Sequence, residues 1–349
     1  MKQTPVIMQI AGSLGIGGAE EVAMLLAQAV HAAGWQSIYV AATNDRNRDA
    51  FRKRLREQGV LVLELAGGLQ SKCRVVGRLA LMTRPDVIHV HTELPELLGL
   101  VGKYAAPGAR LVRTVHNSAH WPEHPFVRYS VNRLYRVWGS HQYACSPEVA
   151  RPGDEVIING IPWSSALSSK HNGEVVFVGR MERQKHPDKV IQIVREARRS
   201  HPHIELTMVG DGRLKPALMR RFPQPWIHWP GAVDDARPFL ARAQVTVFAS
   251  AYEGLPLVAL EALTTLTWVL APDISGFHRL PWAECYPPSD TMTAAKTLIH
   301  LMKQDSRNKL YAMRVMYREE FSEEIMTARY IASYQALLAN RTSQNVVGG

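Results

Sequence analysis

Apolar residues in this chain come in short unbroken runs, separated by longer stretches in which they recur every three or four positions. The runs suit strands buried on both faces, and the periodic stretches suit amphipathic helices. In the first half the pattern predicts strands at 6–11, 37–42, 60–65, 87–90, 111–115, 142–145 and 156–158, with helices at 19–33, 49–58, 73–83 and 95–104. After residue 159 comes a polar, Ser-rich stretch without periodicity, which reads as a linker. The alternation then restarts, with strands at 175–178, 205–209, 227–229, 245–248 and 268–271 and helices at 187–200, 214–221, 236–241, 256–265 and 293–302. A long helix over 323–338 closes the chain, and the tail 342–349 is expected to fray. Strand–helix alternation implies parallel sheets with crossover helices, so the expected fold is α/β with two Rossmann-like domains, 1–165 and 173–322.

Composition agrees with this and narrows the class. A length of 349 residues gives each of two domains room for its own core. Hydrophobic content of 46% with 21% charged residues is that of a soluble globular protein. Cys73, Cys145 and Cys285 lie far apart without metal-ligand spacing, which suits reduced thiols and a cytoplasmic setting. No apolar run reaches the ~18 residues needed to span a bilayer. Gly12, Gly15, Gly17 and Gly18 interrupt the N-terminal apolar run, so it reads as a first strand and loop rather than a signal peptide.

Net charge is +10, and its distribution is uneven. Residues 46–84 hold ten Lys and Arg against three acids, Asp49, Glu57 and Glu64. Such a block attracts phosphates. There is no recognition-helix pattern, zinc spacing or stacking platform for nucleic acid, so an anionic membrane surface is the better partner. The stretch from Arg46 to Arg56 could lie on headgroups, and the arginines and aromatics of 126–138 have a similar character.

Three constellations could carry chemistry. The first is Ser250-Ala251-Tyr252-Glu253-Gly254-Leu255-Pro256-Leu257-Val258-Ala259-Leu260-Glu261, where a strand runs through a Gly-containing turn into a helix with Pro256 at a first helical position. Unpaired N–H groups at Leu257 and Val258 would suit a phosphate, Glu253 a polyol and Glu261 the two hydroxyls of a ribose. The second is Val176-Phe177-Val178-Gly179-Arg180-Met181-Glu182-Arg183-Gln184-Lys185. Arg180 offers a planar fork and Lys185 a point charge, a pair able to offset the charge that builds on a departing diphosphate. The third is the glycine loop Gly15-Ile16-Gly17-Gly18-Ala19-Glu20, which opens the first helix and lets backbone approach a ligand closely. His116 stands just past a strand, His89 and His91 alternate at another strand end as satisfied structural groups, and residues 120–125 form a candidate acceptor loop.

With these residues the chain resembles the GT-B-fold, retaining glycosyltransferases of family 4, whose C-terminal half carries a Glu-x7-Glu element in this setting. The resemblance covers nearly the whole chain and is strongest over 176–271. It implies two domains facing each other across a deep cleft, with the last helix, 323–340, crossing back onto the N-terminal domain. It also implies that His116 touches the transferred sugar, that Gly17 and Gly18 face the donor phosphates, that Gly212 lies near the diphosphate and Val233 near the base, and that Gly254 and Leu255 line the donor site. The sequence departs from the family habit at Asn117 and Pro162, where Asp is common, and at Leu266 and Trp268 in place of Gly and Pro.

The implied function is transfer of a hexose from a nucleotide diphosphate sugar, a UDP-sugar by preference, to a hydroxyl of a lipid-linked glycan, a lipopolysaccharide or a capsule precursor. Arg180, Lys185, Glu253 and His116 would carry the chemistry, with no metal and no cofactor. The enzyme would sit at the cytoplasmic face of the inner membrane. A non-hydrolysing nucleotide-sugar epimerase and a non-catalytic nucleotide-sugar-binding partner remain the alternatives. A dehydrogenase is disfavoured, because neither half has a complete dinucleotide fingerprint.

Overall fold

Runs of residues buried on both faces need helices above and below them, and each half of the chain meets that need in the same way. The structure, a computed structural model, describes residues 4–15, 17–44, 49–116, 125–163, 169–304 and 307–346. The chain folds as two units, Met1–Gly160 with Glu323–Gly349, and Ile161–Ser322. Arg46, Asn47 and Arg48 of the basic stretch, Asn117, residues 120–124 of the candidate acceptor loop, residues 164–168 of the linker and the tail end 347–349 lie outside the described residues.

The first unit is a seven-stranded parallel sheet in the order β3-β2-β1-β4-β5-β6-β7. Its strands are β1 (Val6–Ala11), β2 (Gln36–Ala41), β3 (Leu61–Glu64), β4 (Val87–Val90), β5 (Arg110–Val115), β6 (His141–Ala144) and the short β7 (Glu155–Val156). The helices between them are α1 (Gly18–Ala32), α2 (Asp49–Glu57), α3 (Leu69–Thr83), α4 (Glu93–Ala105) and α5 (Pro125–Val137). Side chains alternate across the sheet. Met8, Ile10, Ile38 and Val40 pack with Val76, Leu98 and Tyr135 of α3, α4 and α5, while Tyr39 and Ala41 pack with Ala23 and Ala27 of α1. The sheet order reverses between β1 and β4, which is where such folds leave a crevice at the strands' carboxyl ends.

The second unit repeats the plan with six strands in the order β10-β9-β8-β11-β12-β13. These are β8 (Glu174–Val178), β9 (Glu205–Val209), β10 (Ile227–Gly231), β11 (Val245–Val247), β12 (Trp268–Pro272) and β13 (Ala283–Tyr286). Its helices are α6 (Pro187–Ala197), α7 (Lys215–Arg221), α8 (Arg237–Arg242), α9 (Leu257–Thr264), α10 (Thr291–Lys303) and α11 (Arg307–Tyr317). Here the order reverses between β8 and β11. The last helix, α12 (Glu323–Val346), runs past the expected end at 338–340 into the tail expected to fray; it belongs to the first unit, where Tyr330 and Tyr334 are fully buried.

The pattern misses α5, α11 and β13, and predicts 156–158 as a strand where the structure pairs only Glu155 and Val156 with β6. Pro256 is also one position earlier than expected. With ψ near 110° it is the N-cap of α9, and helical geometry starts at Leu257. Its extended ψ follows from the chain's turn out of the sheet, so proline here fixes the entry to the helix rather than its first turn.

Candidate active site

In the second unit Arg180, Lys185 and Glu253 follow β8 and β11, the two strands that flank the switch point. Strand β8 ends at Val178, and the backbone passes through Gly179 and Arg180 into a 3-10 turn, Arg183–Lys185. That turn is stitched to the loop after β11 by two hydrogen bonds. The Ala251 N–H donates to the Gln184 carbonyl at 2.8 Å, and the Gln184 side-chain amide donates to the Tyr252 carbonyl at 3.0 Å. The stitching sets Lys185 against Glu253, and the Lys185 ammonium donates to Glu253 Oε1 at 2.5 Å. Their side chains are 19% and 6% exposed, so solvent screens this pair poorly. Arg180, five positions before Lys185, is exposed.

The loops beside this pair are held by close backbone contact. Gly212 has φ of +154°, and a Cβ there would stand 2.6 Å from the Met181 carbonyl oxygen. Only glycine lets the loop after β9 lie this close to the turn after β8. Gly276, in a 3-10 turn after β12, is a residue that sequence reasoning missed. A Cβ on it would meet Glu253 Cβ at 2.7 Å and the carbonyls of Glu253 and Gly254 at 3.0 Å. Its only sequence signal was an isolated Ser-Gly past a strand, which turns explain equally well.

The remaining candidates of this unit are dispersed along one chain path. Gly254 and Leu255 are buried in the loop after Glu253. Leu257 and Val258 open α9, so their N–H groups precede the helix's own ladder. Glu261 is half-buried further along α9, and its carbonyl accepts from Thr264 Oγ1 at 2.8 Å. Val233 is half-buried in the loop following β10. The structure thus brings Glu253 and Lys185 together, and places Glu261 and Val233 on separate elements.

In the first unit the glycine loop follows β1. Gly17, with φ of 140°, is the N-cap of α1, and Gly18 is that helix's first, exposed residue. His116 follows β5 and is half-buried. Its Nε2 lies 3.2 Å from Nδ1 of His91, and its Nδ1 is buried with no hydrogen-bond partner among the described residues. Burial pushes its pKa down to about 3, so the ring is neutral at any physiological pH. His91 Nε2 lies 2.7 Å from Gln9 Oε1, while His89 reaches Tyr334 and Thr114 at 2.5 and 2.7 Å. Burial lowers the pKa of both histidines, as expected for satisfied structural groups. Among the described residues, no three His, Cys, Asp or Glu side chains gather as a metal site, and no helix is long and apolar enough to cross a membrane.

Comparison with known proteins supplies a second line of argument. Residues 172–304 match the family model described as Glycosyl transferases group 1, and residues 16–152 match that described as Glycosyltransferase Family 4. The fold is shared with HepE of Anabaena, solved with UDP and glucose, at 17% identity and a TM-score of 0.78, over 94% of this chain and 99% of that one. Sucrose-phosphate synthase of Thermosynechococcus elongatus aligns at 17% identity and a TM-score of 0.72, over 96% of this chain and 100% of its own. The lipopolysaccharide outer core galactosyltransferase WaaB aligns at 14% identity and a TM-score of 0.64, over 95% and 99%. No curated protein matches the chain in sequence.

Proposed function

We propose that this chain, which is a group 1 glycosyltransferase of the GT-B type, transfers a hexose from a UDP-sugar to a hydroxyl of a glycan or glycolipid with retention of configuration. The observation that carries the reading is the Lys185–Glu253 pair at the switch point of the second sheet, one turn from Arg180. Breaking the sugar–phosphate bond builds negative charge on the departing diphosphate. Cations placed where that charge develops stabilise the transition state more than the ground state. Arg180 and Lys185 supply them, and the N–H groups of Leu257 and Val258 add a partial positive charge from the helix terminus. Glu253, already committed to Lys185, presents its second oxygen to sugar hydroxyls, while Glu261 takes the ribose. His116 is neutral and meets the transferred sugar as a hydrogen-bonding group. The departing phosphate takes the acceptor's proton on the face from which it leaves.

The donor preference is supported by the structural neighbours: HepE is solved with UDP-glucose and UDP, and WaaB is a galactosyltransferase acting on lipopolysaccharide outer core. The test is product analysis by chromatographic separation and mass spectrometry over UDP-, GDP- and ADP-sugars, with and without a glycolipid acceptor and with and without chelator. Release of free UDP together with an acceptor heavier by one hexose supports the reading. A new nucleotide sugar formed without acceptor would replace it with an epimerase.

An anionic membrane is the partner that fits the outer face of the first unit. Helices α3 and α5 carry Lys72, Arg74, Arg78, Arg133 and Arg136 without one carboxylate in either helix. They also expose large apolar side chains, with Met82 at 83% and Phe126 at 88%. Cations beside exposed aromatic and aliphatic groups suit a headgroup layer. Sedimentation with phosphatidylglycerol vesicles but not with phosphatidylcholine vesicles is expected, and Arg133→Glu with Arg136→Glu should abolish it. Equal sedimentation with both lipids would overturn the electrostatic part.

A further inference from the structure

The polar groups of the first unit form one continuous chain of hydrogen bonds that starts at His116 and ends on the C-terminal helix. From His116 it passes to His91 and then to Gln9. The Gln9 amide nitrogen donates to the Tyr334 hydroxyl of α12 at 3.2 Å. Tyr334 meets His89, His89 meets Thr114, and Thr114 meets Tyr330 of α12 at 3.1 Å. All members except His116 are buried, and no ion belongs to the chain. Neither role in the glycosyl transfer nor packing requires such continuity.

A chain of neutral groups has a direction, because each imidazole offers one N–H and one lone pair. The Gln9 carbonyl oxygen faces His91, so His91 must carry its hydrogen on Nε2 and accept at Nδ1. His116 then donates from Nε2 to that nitrogen, which leaves its own Nδ1 without hydrogen. This agrees with a buried Nδ1 that has no partner among the described residues. On the other side, Tyr334 accepts from Gln9 and therefore donates to His89 Nδ1, and His89 donates from Nε2 to Thr114. Turning the Gln9 amide over would reverse every one of these bonds and put a hydrogen on His116 Nδ1.

We propose that Gln9 and Tyr334 are positioning residues for His116, fixing the tautomer whose Nδ1, buried in the structure, accepts a hydrogen bond from a hydroxyl of the transferred sugar once that sugar displaces its cover. The sugar contact rests on the function proposed above, whereas the tautomer does not.

The experiment is a two-bond proton–nitrogen correlation on full-length protein labelled with 15N-histidine, with His116 identified by the resonances lost in His116→Ala. The wild-type protein is expected to show His116 Nδ1 unprotonated. In Tyr334→Phe the Gln9 amide loses its acceptor and both orientations serve His91, so His116 becomes a mixture of tautomers. If the mixture is even, KM for the donor rises about twofold, as the competent fraction halves. Gln9→Leu provides a second route to the mixture if Tyr334→Phe does not fold. A hydrogen on Nδ1 in the wild-type protein, or an unmoved tautomer in a folded Tyr334→Phe or Gln9→Leu, would overturn the proposal. Unchanged kcat and KM in His116→Ala would remove the sugar hydroxyl from it, whatever the tautomer.

Discussion

The two units build their polar centres from opposite materials on the same sheet plan. At its switch point the first unit has a chain of neutral histidine, glutamine, threonine and tyrosine groups without an ion in it. At the equivalent place the second has a poorly screened ammonium–carboxylate pair and a nearby exposed guanidinium. Hydrogen bonds between neutral groups are worth about 0.5–1.5 kcal/mol net, and those to ions about 1.5–3. Uncharged groups hold orientation, and ions answer charge that appears during the reaction. Under the proposed function one unit would select hydroxyls and the other drive bond cleavage, which mutation can test.

The largest effect should come from the ionic side. Lys185→Ala should lower turnover by roughly 100- to 1000-fold, equivalent to ~2.7–4 kcal/mol, because it removes a preorganised partner for the departing diphosphate. Arg180→Ala should fall in the same range, and steady-state kinetics with saturating donor would measure both. Turnover unchanged by Lys185→Ala would break the division of labour outright.

The next effect concerns a second half-buried cation of that unit. The Lys170 ammonium donates to the carbonyls of Leu240 and Thr265 and to Thr267 Oγ1, and burial pushes its pKa down to about 7. The folded value lies below that of the unfolded chain. Above pH 7 the unfolded state therefore binds the extra proton, and stability rises with pH until the unfolded lysine itself titrates. The slope should approach about 1.4 kcal/mol per pH unit between pH 7.5 and 9.5. Urea melts of wild type and Lys170→Met over that range test it. Parallel curves would show that Lys170 titrates normally.

Gly276→Ala should cost about 1–3 kcal/mol by overpacking against the Glu253 backbone, and it should displace Glu253 from Lys185. A fall in both Tm and turnover is expected; a fall in Tm alone would confine Gly276 to stability. The smallest effect belongs to the neutral side. His116→Ala should cost about 0.5–1.5 kcal/mol of transition-state binding, or roughly 2- to 13-fold in kcat/KM. Because His116 is held neutral with a pKa of about 3, its contribution should stay constant from pH 5.5 to 8. A histidine-like step in the wild-type profile that disappears in His116→Ala would contradict a neutral role.

Much of the fold was legible because strands covered on both faces need nearly continuous apolar runs; 175–178 and 268–271 are unbroken, and 6–11 and 87–90 are interrupted only by Gln9 and His89. Helix α5 was less so, since Phe126, Tyr129 and Val137 lie on its exposed side and blur the expected apolar stripe. Strand β13 is a short edge strand with charged and polar members, Glu284 and Cys285, and edge strands carry a weaker pattern. The site was legible where it lies along one segment, as in 250–261 and 176–185. Gln184 was in plain view, yet its role depends on the carbonyl of Tyr252, 68 positions away. The bond between Gln9 and Tyr334 spans 325 positions, and no local pattern encodes such a distance.

By itself the sequence determined two α/β units, a pair of cations after one strand, and a turn bearing Glu253 that opens a helix. These follow from local propensity, periodicity and the chemistry of single side chains. Tertiary structure alone decided that Lys185 rests on Glu253, that Gly276 backs that carboxylate, and that the C-terminal helix completes the hydrogen bonds leading to His116. Each of these depends on chain crossings that bring remote residues within 3 Å or so, and packing rather than periodicity sets those distances.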